Sequence, residues 1–119
     1  MKTIGRRSVL AAGMGAAFAS HAQAQGAYPD RPIRMIVPWP PGQATDLAGR
    51  VVAQEISKGL GQPVVVENRA GASGNIGADV VAKSPADGHA LLASVNQVFT
   101  SNRFLYKQMP FDPDKAFAP

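Results

Sequence analysis

An α/β fold, with a parallel sheet and flanking helices, is what this sequence predicts, and two patterns carry the prediction. Short runs that are apolar at neighbouring rather than only alternate positions, as at Met35-Ile36-Val37 within the strand Ile33–Val37 and at Val64–Val66, match strands buried on both faces. Between such runs lie segments of helical periodicity, and strand–helix–strand order implies parallel pairing through right-handed crossovers. In sheets of this kind small molecules sit beyond the carboxyl ends of the strands, where the chain turns into its helices.

The first residues read as an address. Lys2, Arg6 and Arg7 form a positive region, Val9–Ala19 is apolar and rich in Ala and Gly, and Ala22-Gln23-Ala24 is a small-x-small cleavage site. Residues 1–24 are expected to be a signal peptide, with Gln25 the first mature residue. The paired arginines ahead of Ser8-Val9-Leu10 resemble a twin-arginine signal; Gly5 and Val9 depart from that pattern and leave a general secretory signal open. A membrane anchor is the competing reading, but the apolar run falls short of the roughly 20 residues a bilayer needs.

Export changes the charge argument. The formal net charge is +4, from 12 Lys+Arg against 8 Asp+Glu, and three of those basic residues lie in the signal. The mature part is thus nearly neutral. With no block of like charge and no basic stripe interleaved with aromatics, no nucleic-acid partner is expected. The absence of cysteine excludes a disulfide framework and thiol chemistry. Removing 24 of 119 residues leaves 95, enough for a small core and marginal for a two-lobed protein.

Taken in order, Tyr28-Pro29-Asp30-Arg31-Pro32 is extended, since each Pro biases its predecessor away from helix. The strand Ile33–Val37 is ended by Pro38, Pro40 and Pro41, and Gly42 permits a sharp reversal. A helix from about Asp46 to about Leu60 follows, with Thr45 as a candidate cap and Asp46 in the first turn, where negative charge suits the dipole. Leu47, Ala48, Val51, Val52, Ile56 and Leu60 share an arc expected to face the sheet, and Asp46, Arg50, Gln54, Ser57 and Lys58 share the opposite one. Glu55 falls inside the apolar arc. Gly59, Gly61 and Pro63 stop the helix. Val64–Glu67 is the second strand, Asn68-Arg69-Ala70-Gly71 a turn after it, Asn75 to about Lys83 a second helix, and His89–Ser94 a third strand after the turn at Ala86-Asp87-Gly88. A polar loop at Asn96-Gln97 leads to a short helix through Phe104 and Tyr106. The last segment holds Phe111 and Phe117 with no later element to cover them, and reads as a truncation or a frayed tail.

Three segments meet at the carboxyl ends of the strands: Trp39–Asp46, Gly71–Asn75 and Ser94–Gln97. The first brings unpaired helix-start N–H groups to a point, which is an anion site. The second has glycines at 71, 74 and 77 between a strand and a helix, as a nucleotide-phosphate loop does. Its spacing is G-x-x-G-x-x-G rather than G-x-G-x-x-G, and no acidic residue closes the next strand; close helix–strand packing explains the same glycines. Catalysis has little support. His21 lies in the signal, His89 stands alone, Ser73 and Ser94 have no base near them in sequence, and Asp79 and Asp87 read as a solvated face and a turn. Neither an enzyme nor a metal or cofactor protein is expected.

The motifs VPWPPG and ATD, then GQPVVVENRAGASGNIGA, then the turn Pro85-Ala86-Asp87-Gly88, resemble in order the amino-terminal part of the extracytoplasmic solute receptors of tripartite tricarboxylate transporters, also called the Bug family. The resemblance runs from Tyr28 to the end. It implies a two-lobed, periplasmic-binding-protein-like (type II) fold, roughly three times this length, of which residues 25–119 form part of the first lobe. It also implies a periplasmic receptor, monomeric when full length, that captures a small carboxylate for the membrane subunits of the transporter.

Carried across, the ligand carboxylate is held through backbone amides and bridging waters at Pro41, Gly42, Gln43, Ala44, Thr45 and Asp46. By their place on the loops at the strand ends, Ser73, Asn75, Ser94 and Asn96 are expected to line the cleft, and Trp39, where the family generally has an aromatic residue, is either its wall or a packing residue. Thr45 is a cap or a ligand contact, and Asp46 orders water or finishes the turn. Gln43 stands where the family usually has a second Gly, so its side chain narrows the pocket or adds a hydrogen bond. The competing readings are an exported enzyme fragment using the Gly-rich segment for a nucleotide, and an inactive gene fragment. Because the opposing lobe supplies half the contacts, calorimetry of these 119 residues with a dicarboxylate is expected to show no micromolar binding.

Overall fold

The computed structural model describes residues 26–118; the expected signal peptide, its cleavage point after Ala24 and His21 lie outside them. Three parallel strands, β1 (Ile33–Val37), β2 (Val64–Asn68) and β3 (Ala90–Leu92), form one sheet in the order β2-β1-β3. Helix α1 (Ala44–Leu60) joins β1 to β2, and α2 (Asn75–Ala82) joins β2 to β3. A short α3 (Asn102–Leu105) follows, and single 3-10 turns occupy Ala72–Gly74 and Asn96–Val98.

β1 is the central strand and the most deeply buried of the three. Ile33, Met35, Ile36 and Val37 are all buried, while Arg34 alone reaches solvent. Each such side chain contributes about 1.5–3 kcal/mol on burial. Arg34 uses its exposure for a two-pronged pair with Glu67 of β2, at 2.7 and 2.9 Å; this pair holds the Glu67 carboxyl ionised to lower pH than an ordinary glutamate. The register sets Ile33 opposite Val64 and Val37 opposite Asn68 on one side, and Ile36 opposite Leu92 on the other.

The helices lie on opposite faces, as right-handed crossovers running in opposite directions along the sheet, from β1 out to β2 and from β2 back past β1 to β3, require. α1 approaches the sheet so closely that a Cβ at Gly49 would stand 3.1 Å from Val37 Cγ2 and 3.5 Å from Ala93 Cβ. On the other face, α2 delivers Ala78 to a cluster with Val98 and Phe111, around which Trp39, Leu92, Phe99 and Phe117 pack.

Three expectations are corrected here. α1 begins at Ala44, two residues early, with Gln43 as its N-cap and no side-chain capping bond; Thr45 is therefore inside the helix and does not cap it. The arc expected to face the sheet does not. Leu47, Val51 and Val52 are 57%, 62% and 50% exposed, and the buried residues of the helix are Asp46, Gly49 and Ala53. Small residues at this spacing let the backbone come close, and closeness won over the bulk of the apolar arc. The terminal aromatics also find cover: Phe111 is buried, and Phe117 meets both it and Phe99 edge-on at 5.4 Å.

Smaller differences concern ends. β2 extends to Asn68, β3 is three residues rather than six, and α2 stops at Ala82. Glu55 is exposed and paired with Lys58 at 2.8 Å. His89 is largely enclosed, with its ring 3.1 Å from Asp30 and 3.3 Å from Asp87, at the amino end of β3 and so at the opposite end of the sheet from the strand-to-helix loops.

Two glycines of similar sequence context should respond oppositely to alanine. At Gly77 a Cβ would fall 2.7 Å from Pro38 Cβ and 2.8 Å from the Arg69 carbonyl, so Gly77→Ala is expected to destabilise by about 1–3 kcal/mol. Gly59 lies in α1 with nothing within 4 Å of that position, and Gly59→Ala should stabilise by about 0.5–1 kcal/mol. Thermal unfolding of the two variants checks both signs.

Candidate functional site: the corner between β1 and α1

The chain leaves β1 at Val37, passes the buried Pro38 and the half-buried Trp39, and turns through Pro40, Pro41 and Gly42 into α1. Gly42 has φ +84°, in the left-handed region, and nothing stands within 4 Å of where its Cβ would be. The glycine serves the backbone turn and leaves open space in front of it. Pro41, Gly42, Gln43 and Ala44 are exposed, and Thr45 is half-buried. Among the described residues, the N–H groups of Ala44, Thr45 and Asp46 have no protein acceptor. They form the first turn of a 17-residue helix and stand at the positive end of its dipole.

A carboxylate in an anion-binding turn would defeat it, and Asp46 is in that turn. The structure turns its side chain inward. It is 2% exposed, and its two oxygens accept from the Gly42 N–H (2.9 Å), Arg50 Nε (3.0 Å) and Asn68 Nδ2 (2.9 Å). The reach back to Gly42 resembles the acidic half of a capping box. These donors, Arg50 first and then Gly42 and Asn68, hold the Asp46 carboxyl down to about 2. Of the two roles considered for Asp46, finishing the turn is the one its hydrogen bonds serve. Arg50 and Asn68 bond to Asp46 at this corner, although the sequence reading places them, respectively, on the helix arc opposite the apolar one and in a turn.

The other two loops meet the first at Gly74. A Cβ there would lie 2.8 Å from Trp39 Cη2 and 2.8 Å from Val98 Cγ2, so one residue from each loop closes on a single point. Trp39 is thereby a packing residue between loops. Ser73 is exposed, with φ +52°, and its hydroxyl accepts from the Tyr106 hydroxyl at 3.1 Å. Asn75 is 3% exposed; its Oδ1 accepts from Asn102 Nδ2 at 2.7 Å and its amide group meets Met109 Sδ at 3.6 Å. Its amide is thus spent on internal bonds and turned away from the open corner. Asn102 also donates to the Ser73 carbonyl at 2.9 Å. Asn102 and Tyr106, neither of which carried a motif, fasten the Gly-rich segment.

Ser94 is half-buried and donates to the neighbouring Val95 carbonyl, while Asn96 is exposed and begins a 3-10 turn. Thr45 and Ser94 both line a groove of about 1000 Å³ that runs along the outer edge of β3 past Met35, Ala48 and Val52. A smaller groove of about 390 Å³ between α1 and β2 lies away from the corner. The glycines at 71, 74 and 77 are each spent on packing, against Ile76, Trp39 with Val98, and Pro38 with the Arg69 carbonyl. Among the described residues no three His, Asp or Glu side chains stand close enough to hold a metal ion.

The Asp46 contacts have a pH signature. Its carboxyl titrates lower in the folded chain than at the ordinary 3.8 of the unfolded one. A depressed value contributes stability in full above the unfolded range and loses it as pH falls toward the folded value. The difference in thermal midpoint between the wild type and Asp46→Asn should therefore be constant above about pH 5 and shrink between about pH 4 and 2.

Comparison with known proteins bears on this geometry. The profile described as Tripartite tricarboxylate transporter family receptor (TctC) matches residues 48–119. A Pseudomonas sp. (strain P51) protein, "UPF0065 protein in tcbD-tcbE intergenic region", is 44% identical over 122 residues, covering 100% of this chain and 36% of its own length. Protein BugT of Bordetella pertussis is 63% identical over 67 residues, 56% of this chain and 21% of its own length. Among solved structures, MatC from Rhodopseudomonas palustris with bound malate superposes with a TM-score of 0.73 at 35% identity, over 77% of this chain and 31% of that one. An R. palustris protein with adipate superposes at 0.70 and 39% identity, over 73% and 29%. The chain thus spans about a third or less of the length of these relatives. With an open amide-lined corner on a parallel sheet and these matches along its length, the chain belongs to the tripartite tricarboxylate transporter receptor family, to which the Bug proteins belong.

Proposed function

We propose that this chain contributes the carboxylate-holding corner of an exported solute receptor that hands a small carboxylate to the membrane subunits of a tripartite transporter. Residues 1–24 direct export to the periplasm and are cleaved near Ala24, and the full-length receptor works as a monomer of two lobes. The observation that carries the reading is the corner itself. It has free N–H groups at Ala44, Thr45 and Asp46, a Gly42 with open space before it, and an Asp46 carboxylate turned away and neutralised. Relatives solved with malate and adipate support a small carboxylate, in both cases a dicarboxylate, as the ligand class.

In this reading Pro41, Gly42, Gln43, Ala44 and Thr45 surround the ligand carboxylate, directly or through water. Ser73, Ser94 and Asn96 stand at the rim of the cleft on the neighbouring loops, with Asn75 behind them holding the second loop in shape. The protein acts by binding and not by catalysis. Ser73 and Ser94 hydrogen-bond to a phenol and a carbonyl rather than to a base, and His89 stands at the other end of the sheet. Capture is by differential contact: one lobe holds the carboxylate at a helix start and the other closes over it.

Amide NMR tests the corner in the chain as it is. Titration with malate or adipate into the millimolar range should displace the Gly42, Ala44, Thr45 and Asp46 resonances before any others, whereas NAD should leave them in place. Movement confined to Gly71–Gly77 on adding NAD, with a silent corner, would reverse the assignment in favour of a nucleotide loop.

A further inference from the structure

Asn68 is the last residue of β2 and lies opposite Val37 in the sheet register. That position sets it beside the point where β1 becomes the corner. Its Nδ2 donates in two directions, to the Trp39 carbonyl at 3.0 Å and to Asp46 Oδ1 at 2.9 Å, and its Oδ1 accepts from Arg50 Nη2 at 3.2 Å. Arg50 returns to Asp46 through Nε at 3.0 Å, and Asp46 Oδ2 accepts from the Gly42 N–H. The side chains of Asp46, Asn68 and Arg50 thus form a closed ring, tied to the corner backbone at Trp39 and at Gly42.

From this geometry we infer that Asn68 is a positioning residue for the carboxylate-holding corner: it spans both sides of the loop from a neighbouring strand and keeps the Asp46 carboxylate facing inward, away from the ligand. The inference rests on the reading of the corner given above. Its physical content is a choice between two states of one acid. Held by Asn68, Arg50 and Gly42, the Asp46 carboxylate is spent within the protein and the free amides present a positive face. Released, it swings toward those amides and competes with the ligand for them, as a local carboxylate at a helix start does.

Among the described residues no other side chain bonds to both the Trp39 carbonyl and Asp46. Gly42 fixes one side of the loop only, and Arg50 is half exposed and makes no bond to Trp39. The strand pair itself does not depend on the Asn68 side chain, because the Arg69 N–H donates to the Val37 carbonyl through the backbone at 2.9 Å. A change at this side chain should therefore alter the loop while leaving the sheet in place.

The test uses Asn68→Ala, and Asn68→Ser as a milder variant that keeps one donor, each followed by amide NMR. Two readouts are taken. In the acid titration of the Gly42 amide, which reports Asp46, the midpoint should move from about 2 up toward the ordinary carboxylate range, further in the Ala variant than in the Ser variant. In titrations with malate and adipate, the dissociation constant read from Ala44–Asp46 should rise about tenfold in Asn68→Ala, with the rest of the spectrum unchanged. A folded variant with an unmoved Gly42 midpoint, or with wild-type affinity, overturns the inference. Should Asn68→Ala fail to fold, Asn68→Ser decides by the same readouts. If neither acid moves the corner amides of the wild type, the carboxylate reading fails, and the Gly42 midpoint still decides whether Asn68 sets the loop.

Discussion

The buried carboxylate of Asp46 is the constraint around which the β1-to-α1 corner is built. An ionised group cannot leave water unless its oxygens find donors, and removing one partner leaves an uncompensated charge. Here the donors come from three places: the backbone at Gly42, the next turn of the same helix at Arg50, and the end of the neighbouring strand at Asn68. Satisfying that one group fixes where α1 starts, how the Pro/Gly turn is folded, and how β2 stands against the loop. Local helix chemistry and sheet register are joined at a single side chain.

The three loops at the carboxyl ends are held together in a different way, by the absence of side chains. Gly74 is filled by Trp39 and Val98, Gly77 by Pro38 and the Arg69 carbonyl, and Gly49 brings α1 onto Val37. Each is a close approach that a methyl group would obstruct. The Gly-rich segment therefore has a use in this chain that needs no phosphate. Asn102 and Tyr106 then lock it by polar contacts from beyond β3, so that the second loop depends on residues 29 and 33 positions further along.

Much of this was legible in the sequence. Consecutive apolar residues in β1, Pro and Gly at the turn, and the alternation of elements gave strand order of appearance, helix placement and the location of the corner. What stayed hidden has a physical reason in each case. The apolar arc of α1 outweighs its small-residue stripe in any periodicity argument, yet Gly49 and Ala53 face the sheet because distance of approach decides packing. Asn68 looked like the start of a turn because its role depends on register across to β1, which no local pattern encodes. Phe111 and Phe117 seemed to lack cover because the residues that cover them, Ala78, Val98 and Phe99, come from far up the chain.

The charge arrangement also narrows what the corner suits. Its positive character comes from peptide dipoles, equivalent to roughly half an elementary charge at a helix start, and the two arginines nearest to it among the described residues are already paired. Arg50 is engaged by Asp46, and Arg69, just beyond β2, by Glu67. A dianionic phosphate in such a cradle would keep most of its charge uncompensated while losing its water. A carboxylate carries one charge spread over two oxygens and can be satisfied by a few N–H groups and bridging waters. Beyond Thr45 and Ser94 the groove passes Met35, Ala48 and Val52, so the surface next to the amides is apolar. In the proposed reading such a surface takes one carboxylate and the carbon chain behind it, and the second carboxylate of a malate or an adipate falls to the opposing lobe.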